Sequence, residues 1–212
     1  MRLTILGSTG ATGRELVRQG LNAGHEVVAL ARRPEDVDQS HPRLRVVGGD
    51  VAEPESISDA IRGADAVVSA LGSHSGRGAT DVYSAGAAAV ISAMKSSGGA
   101  RRLLAVSAAP VAPAGDKGAF DRLLLHRVIA QFFGGLYDDM QRMEDLIRSS
   151  DTDWTIFRPP RLTDRPMTGR YRIAVDVRLQ RAFSIGRADL AAAMLDAIDD
   201  PRLVGHAVQI AG

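Results

Sequence analysis

The sequence predicts an α/β fold, a doubly wound and mainly parallel sheet with helices on both faces, on three observations. A short apolar strand at residues 3–6 runs through Gly7, Gly10 and Gly13 into a helical pattern. Strand-like and helix-like segments then alternate five times at the spacing of parallel crossovers. No linker, repeat or low-complexity tract interrupts them, so residues 1–212 are expected to form one domain.

The first unit carries the most information. Leu3, Ile5 and Leu6 give a buried strand, and glycines at a spacing of three let the chain turn where a side chain would block an approaching pyrophosphate. Leu16, Val17 and Leu21 recur at helical spacing, which puts Thr12 and Gly13 at a helix start. The free N–H groups of that start face the loop Gly7-Ser8-Thr9-Gly10-Ala11, and an anion belongs there. Gly24 ends the helix and residues 25–31 resume as a strand. Strand, glycine loop, helix and strand together read as a dinucleotide-binding βαβ unit.

The second strand, 27–31, ends in Arg32-Arg33-Pro34, where an NAD-binding chain usually places an acid on the ribose hydroxyls. Two guanidiniums suit a 2′-phosphate instead, so NADPH is the expected cofactor. Each charge-assisted hydrogen bond is worth about 1.5–3 kcal/mol, or about ten- to hundredfold in preference. Residues 43–47 are a third strand, and Gly49, Asp50 and Val51 follow beside the expected adenine. Asp50 either accepts from the adenine amino group or caps the next helix, 53–62, which Gly63 stops. The fourth strand, 66–71, closes with Leu71 and Gly72 on Ser73 and His74, over the ribose and pyrophosphate. An alanine-rich helix at 81–97 ends at Gly98-Gly99. The fifth strand, 102–108, carries Ser107 at its carboxyl end, where ligands bind on such sheets.

Regularity then weakens. A Pro/Gly loop at 111–118 precedes helical stretches at 120–133 and 136–148, separated by Gly134-Gly135, and the region 109–150 is the expected substrate lid. A sixth strand at 154–158 is cut off by Pro159-Pro160. The loop 161–169 belongs near the nicotinamide, within a C-terminal loop and strand region spanning 159–186. An exposed strand at 171–175, a helix at 188–198 and a strand at 206–210 complete the chain.

Bulk properties narrow the function. A chain of 212 residues buries about 70% of its unfolded surface without staples. The absence of cysteine removes disulfides, thiolate nucleophiles and thiolate metal sites, and fits a cytoplasmic protein. The chain opens directly into a strand and has no stretch of about 20 apolar residues, so neither a signal peptide nor a membrane span is expected. Net charge is +1 with arginine scattered and few aromatics, which leaves no nucleic-acid footprint. A small-molecule partner and a monomer or weak homodimer are expected.

Carbonyl-reducing short-chain dehydrogenases pair a tyrosine with a lysine four residues later, the lysine easing proton release from the phenol. Here Tyr83, Tyr137 and Tyr171 are followed at that offset by Ala87, Gln141 and Val175. That relay is absent. Hydride transfer to an acceptor that stabilises its own charge, a flavin or other conjugated ring, needs only orientation. Ser107 is the expected contact to the nicotinamide amide or the substrate, and Arg161 the expected cation at the mouth for a substrate carboxylate or phosphate. No His, Asp and Glu set has metal-ligand spacing.

Several motifs together resemble one family. Gly-Ser-Thr-Gly-Ala-Thr-Gly at 7–13, Gly49-Asp50-Val51, the stretch 64–68, Met143 with Leu146 and Arg148, Arg158-Pro159-Pro160, and Asp164-Arg165-Pro166-Met167-Thr168-Gly169 are similar to those of the atypical short-chain dehydrogenases, the NmrA-like NAD(P)H-binding group. Within it they are nearest to the flavin reductase, or biliverdin reductase B, branch. The resemblance implies an NADPH-dependent reductase of flavins, quinones and related planar acceptors on a Rossmann-type fold. It places the active-site serine on Ser107, the adenine contacts on Asp50 and Val51, and the arginine after the second strand on Arg32. Arg161 stands where that branch has histidine. Two alternatives share the missing relay: an NmrA-like NADP(H)-sensing regulator that binds a partner protein without turnover, and a protein like the nucleotide-sugar epimerases and dehydratases.

Overall fold

The computed structural model describes residues 1–51, 53–72, 80–111 and 125–212. The elements follow one another as β1 (Arg2–Leu6), α1 (Ala11–Asn22), β2 (Glu26–Ala31), β3 (Leu44–Gly48), α2 (Pro54–Ile61), β4 (Ala66–Ser69), α3 (Val82–Ser97), β5 (Arg102–Val106), α4 (Leu125–Arg148), β6 (Asp153–Arg158), β7 (Arg161–Thr163), β8 (Arg172–Val175), β9 (Ser184–Gly186), α5 (Arg187–Asp196) and β10 (His206–Ala211). Eight strands form one sheet in the order β3-β2-β1-β4-β5-β6-β10-β8. All neighbours are parallel except β8, which runs antiparallel to β10 at the edge. This is the Rossmann-type doubly wound sheet.

Alternation along the strands builds two cores. Leu3 and Ile5 of β1 pack with Leu16, Val17 and Leu21 of α1 and Leu190 and Met194 of α5. On the opposite face Leu6, Val67 and Leu103 pack with Ile57 of α2, Val90 of α3 and Met143 of α4. Burying each such side chain contributes about 1.5–3 kcal/mol, so the period-two pattern of the strands fixes which helices cover which face. Polar side chains inside these layers are all spoken for at one seam: the buried Arg102 of β5 donates to the carbonyls of Ala197 at 2.6 Å, Asp153 at 2.7 Å and Ile198 at 2.9 Å. Burial lowers the pKa of this guanidinium from its ordinary value.

Three expectations need correction. The stretches on either side of Gly134-Gly135 are not two helices but parts of one, α4, because its amphipathic pattern keeps Met140, Met143 and Ile147 on the core and that packing outweighs a glycine cost of about 1 kcal/mol each. The stretch 161–169 is not all loop: Arg161, Leu162 and Thr163 pair in parallel with Ser184, Ile185 and Gly186 as a separate two-stranded sheet. The last helix stops at Asp196, and two 3-10 turns, Ala197–Asp199 and Pro201–Leu203, follow it. The expected positions of Ser73 and His74, and the loop after Val111, lie outside the described residues. Among the described residues no helix is long and apolar enough to cross a membrane.

Candidate functional site

The loop after β1 is shaped by close approach. Gly7 has φ +71°, and a Cβ on it would stand 2.4 Å from the carbonyl oxygen of Ala70, beyond β4. A Cβ on Gly13 would stand 2.0 Å from the carbonyl oxygen of Gly7. These two glycines let the loop lie against the sheet and the helix against the loop. Gly10 differs: only the Gly7 oxygen, at 3.2 Å, lies near its Cβ position. The turn closes with Gly10 N–H donating to Gly7 O at 3.0 Å, and α1 begins at Ala11 with no side chain capping its first turn. Its N–H groups are therefore left for a ligand.

That loop forms one wall of a cleft of about 890 Å³ along the carboxyl ends of the parallel strands. Of the expected site residues, Gly7, Thr9, Gly10, Ala11, Thr12, Arg32, Asp50, Val51, Leu71, Gly72 and Ser107 all line it. Ser8 and Gly13 do not. The Ser8 hydroxyl, 1% exposed, donates to the carbonyl of Leu30 at 2.8 Å and ties the loop to the end of β2. Arg33 faces an adjoining pocket of about 400 Å³ with Thr9, Arg14, Arg32 and Asp36. There Arg33 pairs with Asp36 at 2.9 Å and Arg14 with Asp38 at 3.0 Å, whereas Arg32 is exposed and has no partner among the described residues. Arg161 is outside both pockets: its strand neighbours Pro160 and Leu162 face the cleft, and Arg161 itself is exposed. The arginine from this part of the chain that lines the cleft is instead Arg187, the first residue of α5.

Ser107 is the centre of the cleft's chemistry. Its N–H donates to Phe157 O at 2.8 Å, continuing the β5·β6 ladder, and holds the residue at the strand end. Its hydroxyl is buried and has no hydrogen-bond partner among the described residues. An unpaired buried hydroxyl costs about 1–3 kcal/mol, and such a cost is retained where a ligand satisfies the group. Pro159, Pro160, Leu162, Tyr83 and Met140 make the apolar walls around it.

Two buried carboxylates brace those walls. Asp139 of α4 accepts hydrogen bonds from the N–H of Tyr83 at 2.9 Å, the N–H of Ser84 at 3.3 Å, the Ser84 hydroxyl and Arg142 at 3.2 Å. It caps the first turn of α3 from another helix and so sets Tyr83 at the cleft. Glu144 receives Arg158 in a two-pronged pair, Nε at 2.9 Å and Nη2 at 2.5 Å, with Arg148 behind it at 3.3 Å. That pair fixes the strand end just before Pro159. Burial, with Tyr83 nearby, raises the Tyr137 phenol above its ordinary pKa, so it stays protonated at neutral pH.

Sequence reasoning missed Arg187, Tyr83 and Met140 as cleft residues. Arg187 follows Gly186 with no motif around it, and only the pairing of β7 with β9 brings it to the cleft. Tyr83 entered the reading only as a relay candidate. Among the described residues no group of His, Asp and Glu is arranged to hold a metal ion.

Comparison with known proteins gives a family and the same fold. The model of a family described as NAD(P)H-binding matches residues 7–201. The chain is 26% identical over 207 residues to the uncharacterized protein YwnB of Bacillus subtilis, covering 95% of this chain and 93% of that one. It is 38% identical over 71 residues to the photosystem II assembly factor Ycf39 of Synechocystis, a match that spans only 22% of that longer protein. A short-chain dehydrogenase/reductase of Veillonella parvula, solved in complex with NADP, superposes with a TM-score of 0.77 at 19% identity, covering 100% of this chain and 94% of that one.

Proposed function

Because the chain belongs to the NAD(P)H-binding family, matched across residues 7–201, we propose that it is an NADPH-dependent oxidoreductase that reduces a planar acceptor such as a flavin or a quinone. The observation that carries this reading is the buried hydroxyl of Ser107, without a partner among the described residues, in a cleft that the glycine loop and Pro159-Pro160 also line. The residues present fit the dinucleotide. The amides at Ala11 and Thr12 hold its diphosphate, and Arg32 with Arg33 receives the 2′-phosphate, which favours NADPH over NADH. Asp50 and Val51 border the adenine.

When bound, NADPH supplies a hydride, and one proton from water completes the two-electron reduction of the acceptor. The chain's part is orientation and exclusion of water. Ser107 donates or accepts a hydrogen bond at the nicotinamide amide or the acceptor, and the apolar walls hold the acceptor ring against it. Asp50, at the adenine end, is the one carboxylic acid among the described residues that line the cleft. Among the described residues no carboxylate or histidine other than Asp50 lines the cleft, and Tyr83 lacks the lysine four residues on that eases proton release, which favours an acceptor that carries its own charge.

The test is NADPH oxidation by pure protein with a panel of flavins, quinones and simple ketones. Acceleration by the conjugated acceptors and none by the ketones supports the reading. Tight NADPH binding with no acceptor reduced overturns it and leaves a cofactor-sensing role, which a protein partner captured only with NADPH present would identify.

A further inference from the structure

Next to Gly186, which pairs with Thr163, Arg187 lines the same cleft as Ser107, Pro160 and Leu162. Its partner is Asp164, which receives Nη1 at 2.6 Å from a side chain that is 84% exposed, while Arg187 itself is 26% exposed. Among the described residues Arg187 has no other partner, so the rest of its fork of donors is left for the cleft. A pair with so exposed an acid is weak and gives way to a better-fitting anion.

The chain around it adds to the charge. From Arg165 to Arg187 the sequence carries Arg165, Arg170, Arg172, Arg178, Arg181 and Arg187 against Asp176 as the one acid. Asp176 is itself engaged by the His206 ring and by the N–H of Ala207 at 2.9 Å. Of these arginines Arg187 alone lines the cleft. Arg172 donates to the carbonyls of Gln180 and Arg181, and Arg165 O lies 3.2 Å from the Cβ position of Gly186. A cleft with apolar walls and a half-buried guanidinium in the wall, on a chain segment rich in arginine, selects for negative charge in what enters.

Building on the reductase reading, we propose that Arg187 anchors an anionic group of the acceptor, so that the substrate class is a planar ring bearing a phosphate or carboxylate. The ring lies between Ser107 and the wall of Tyr83, Met140 and Leu162. The anion displaces Asp164 and sits on the guanidinium. Arg187 here is a specificity residue and takes no part in hydride transfer.

FMN and riboflavin test this, since they share one ring and differ by a phosphate. Calorimetric affinities are measured on protein saturated with NADP, and kcat/KM with NADPH, for wild type, Arg187→Ala, Arg187→Lys and Asp164→Asn. Wild type is expected to bind FMN about ten- to hundredfold more tightly than riboflavin, the gain of one or two charge-assisted bonds. Arg187→Ala removes that preference and leaves the affinities for riboflavin and NADP unchanged. Arg187→Lys recovers part of it, and Asp164→Asn, which frees the guanidinium, increases it. Equal binding of the two flavins by wild type overturns the proposal, as does an Arg187→Ala protein that loses NADP instead of FMN. The two readings fail separately: Arg187-dependent FMN binding without turnover sinks only the reductase, and equal turnover of both flavins sinks only the anchor.

Discussion

Gly13 lies so close to Gly7 that a methyl group on it would stand 2.0 Å from the Gly7 carbonyl oxygen and 2.7 Å from its carbonyl carbon. Both atoms are backbone, so the loop itself must move. Gly13→Ala is therefore expected to destabilise the fold by about 1–3 kcal/mol and to abolish NADPH binding. Gly10→Ala gives the contrasting case: its methyl meets protein only at Gly7 O, 3.2 Å away, and otherwise occupies the cleft. Its melting temperature is expected near wild type with NADPH affinity lost. Calorimetry and thermal melts on the two variants separate the roles, and a Gly10→Ala protein that still binds NADPH tightly would remove the loop from the site.

Arg32 is exposed and unpaired among the described residues, while its neighbours Arg33 and Arg14 each hold an acid. Arg32→Ala is expected to weaken NADPH by about ten- to hundredfold and NADH by less than twofold. Equal losses for the two nucleotides, measured by fluorescence titration, would show that Arg32 does not read the 2′-phosphate.

How much of this was legible in the sequence depends on whether the signal was local. The glycine loop, the alternation of Leu3, Ile5 and Leu6, and the arginines after β2 are local, and the structure collects most of the residues they named along one cleft. The placement of Ser8 and Gly13 shows the limit of a motif, since its spacing marks the loop without telling which members face inward. Arg161 and Arg187 show the same limit at longer range. Both lie outside any motif of charge, and only the parallel pairing of β7 with β9 decides which one reaches the cleft. Gly134 and Gly135 read as a break because their cost is local, while the core contacts of Met140, Met143 and Ile147 that keep α4 continuous are not.

Asp139 is another feature no local pattern announces. Its carboxylate is 0% exposed and takes two backbone N–H groups of α3, a hydroxyl and Arg142. Removing it leaves the N–H groups of Tyr83 and Ser84 and the Ser84 hydroxyl without their acceptor in the interior, while the exposed Arg142 turns to water. Asp139→Ala is expected to cost about 2–4 kcal/mol, read as a lower urea midpoint at unchanged m-value. Asp139→Asn, which keeps the acceptor oxygen and loses the charge, is expected to cost less. A loss below about 1 kcal/mol for the alanine variant would mean that α3 does not depend on this cap.

The hydroxyl of Ser107 makes a prediction of opposite signs. In the free protein it is buried without a partner among the described residues, so deleting it relieves a desolvation cost of about 1–3 kcal/mol and leaves a gap only the size of the lost oxygen. Ser107→Ala is expected to melt at or above the wild-type temperature when free of ligand. With NADPH and an acceptor present the same change removes a contact, and kcat/KM is expected to fall by about tenfold or more. Nucleotide-induced stabilisation should shrink in step, because a ligand at free concentration L raises stability by RT ln(1 + L/Kd) and so less when its affinity falls. A structural serine gives the reverse pattern, a lower melting temperature and intact turnover. Melting curves with and without NADPH, beside steady-state kinetics on the same preparations, decide whether Ser107 is kept for the fold or for the molecule that enters the cleft.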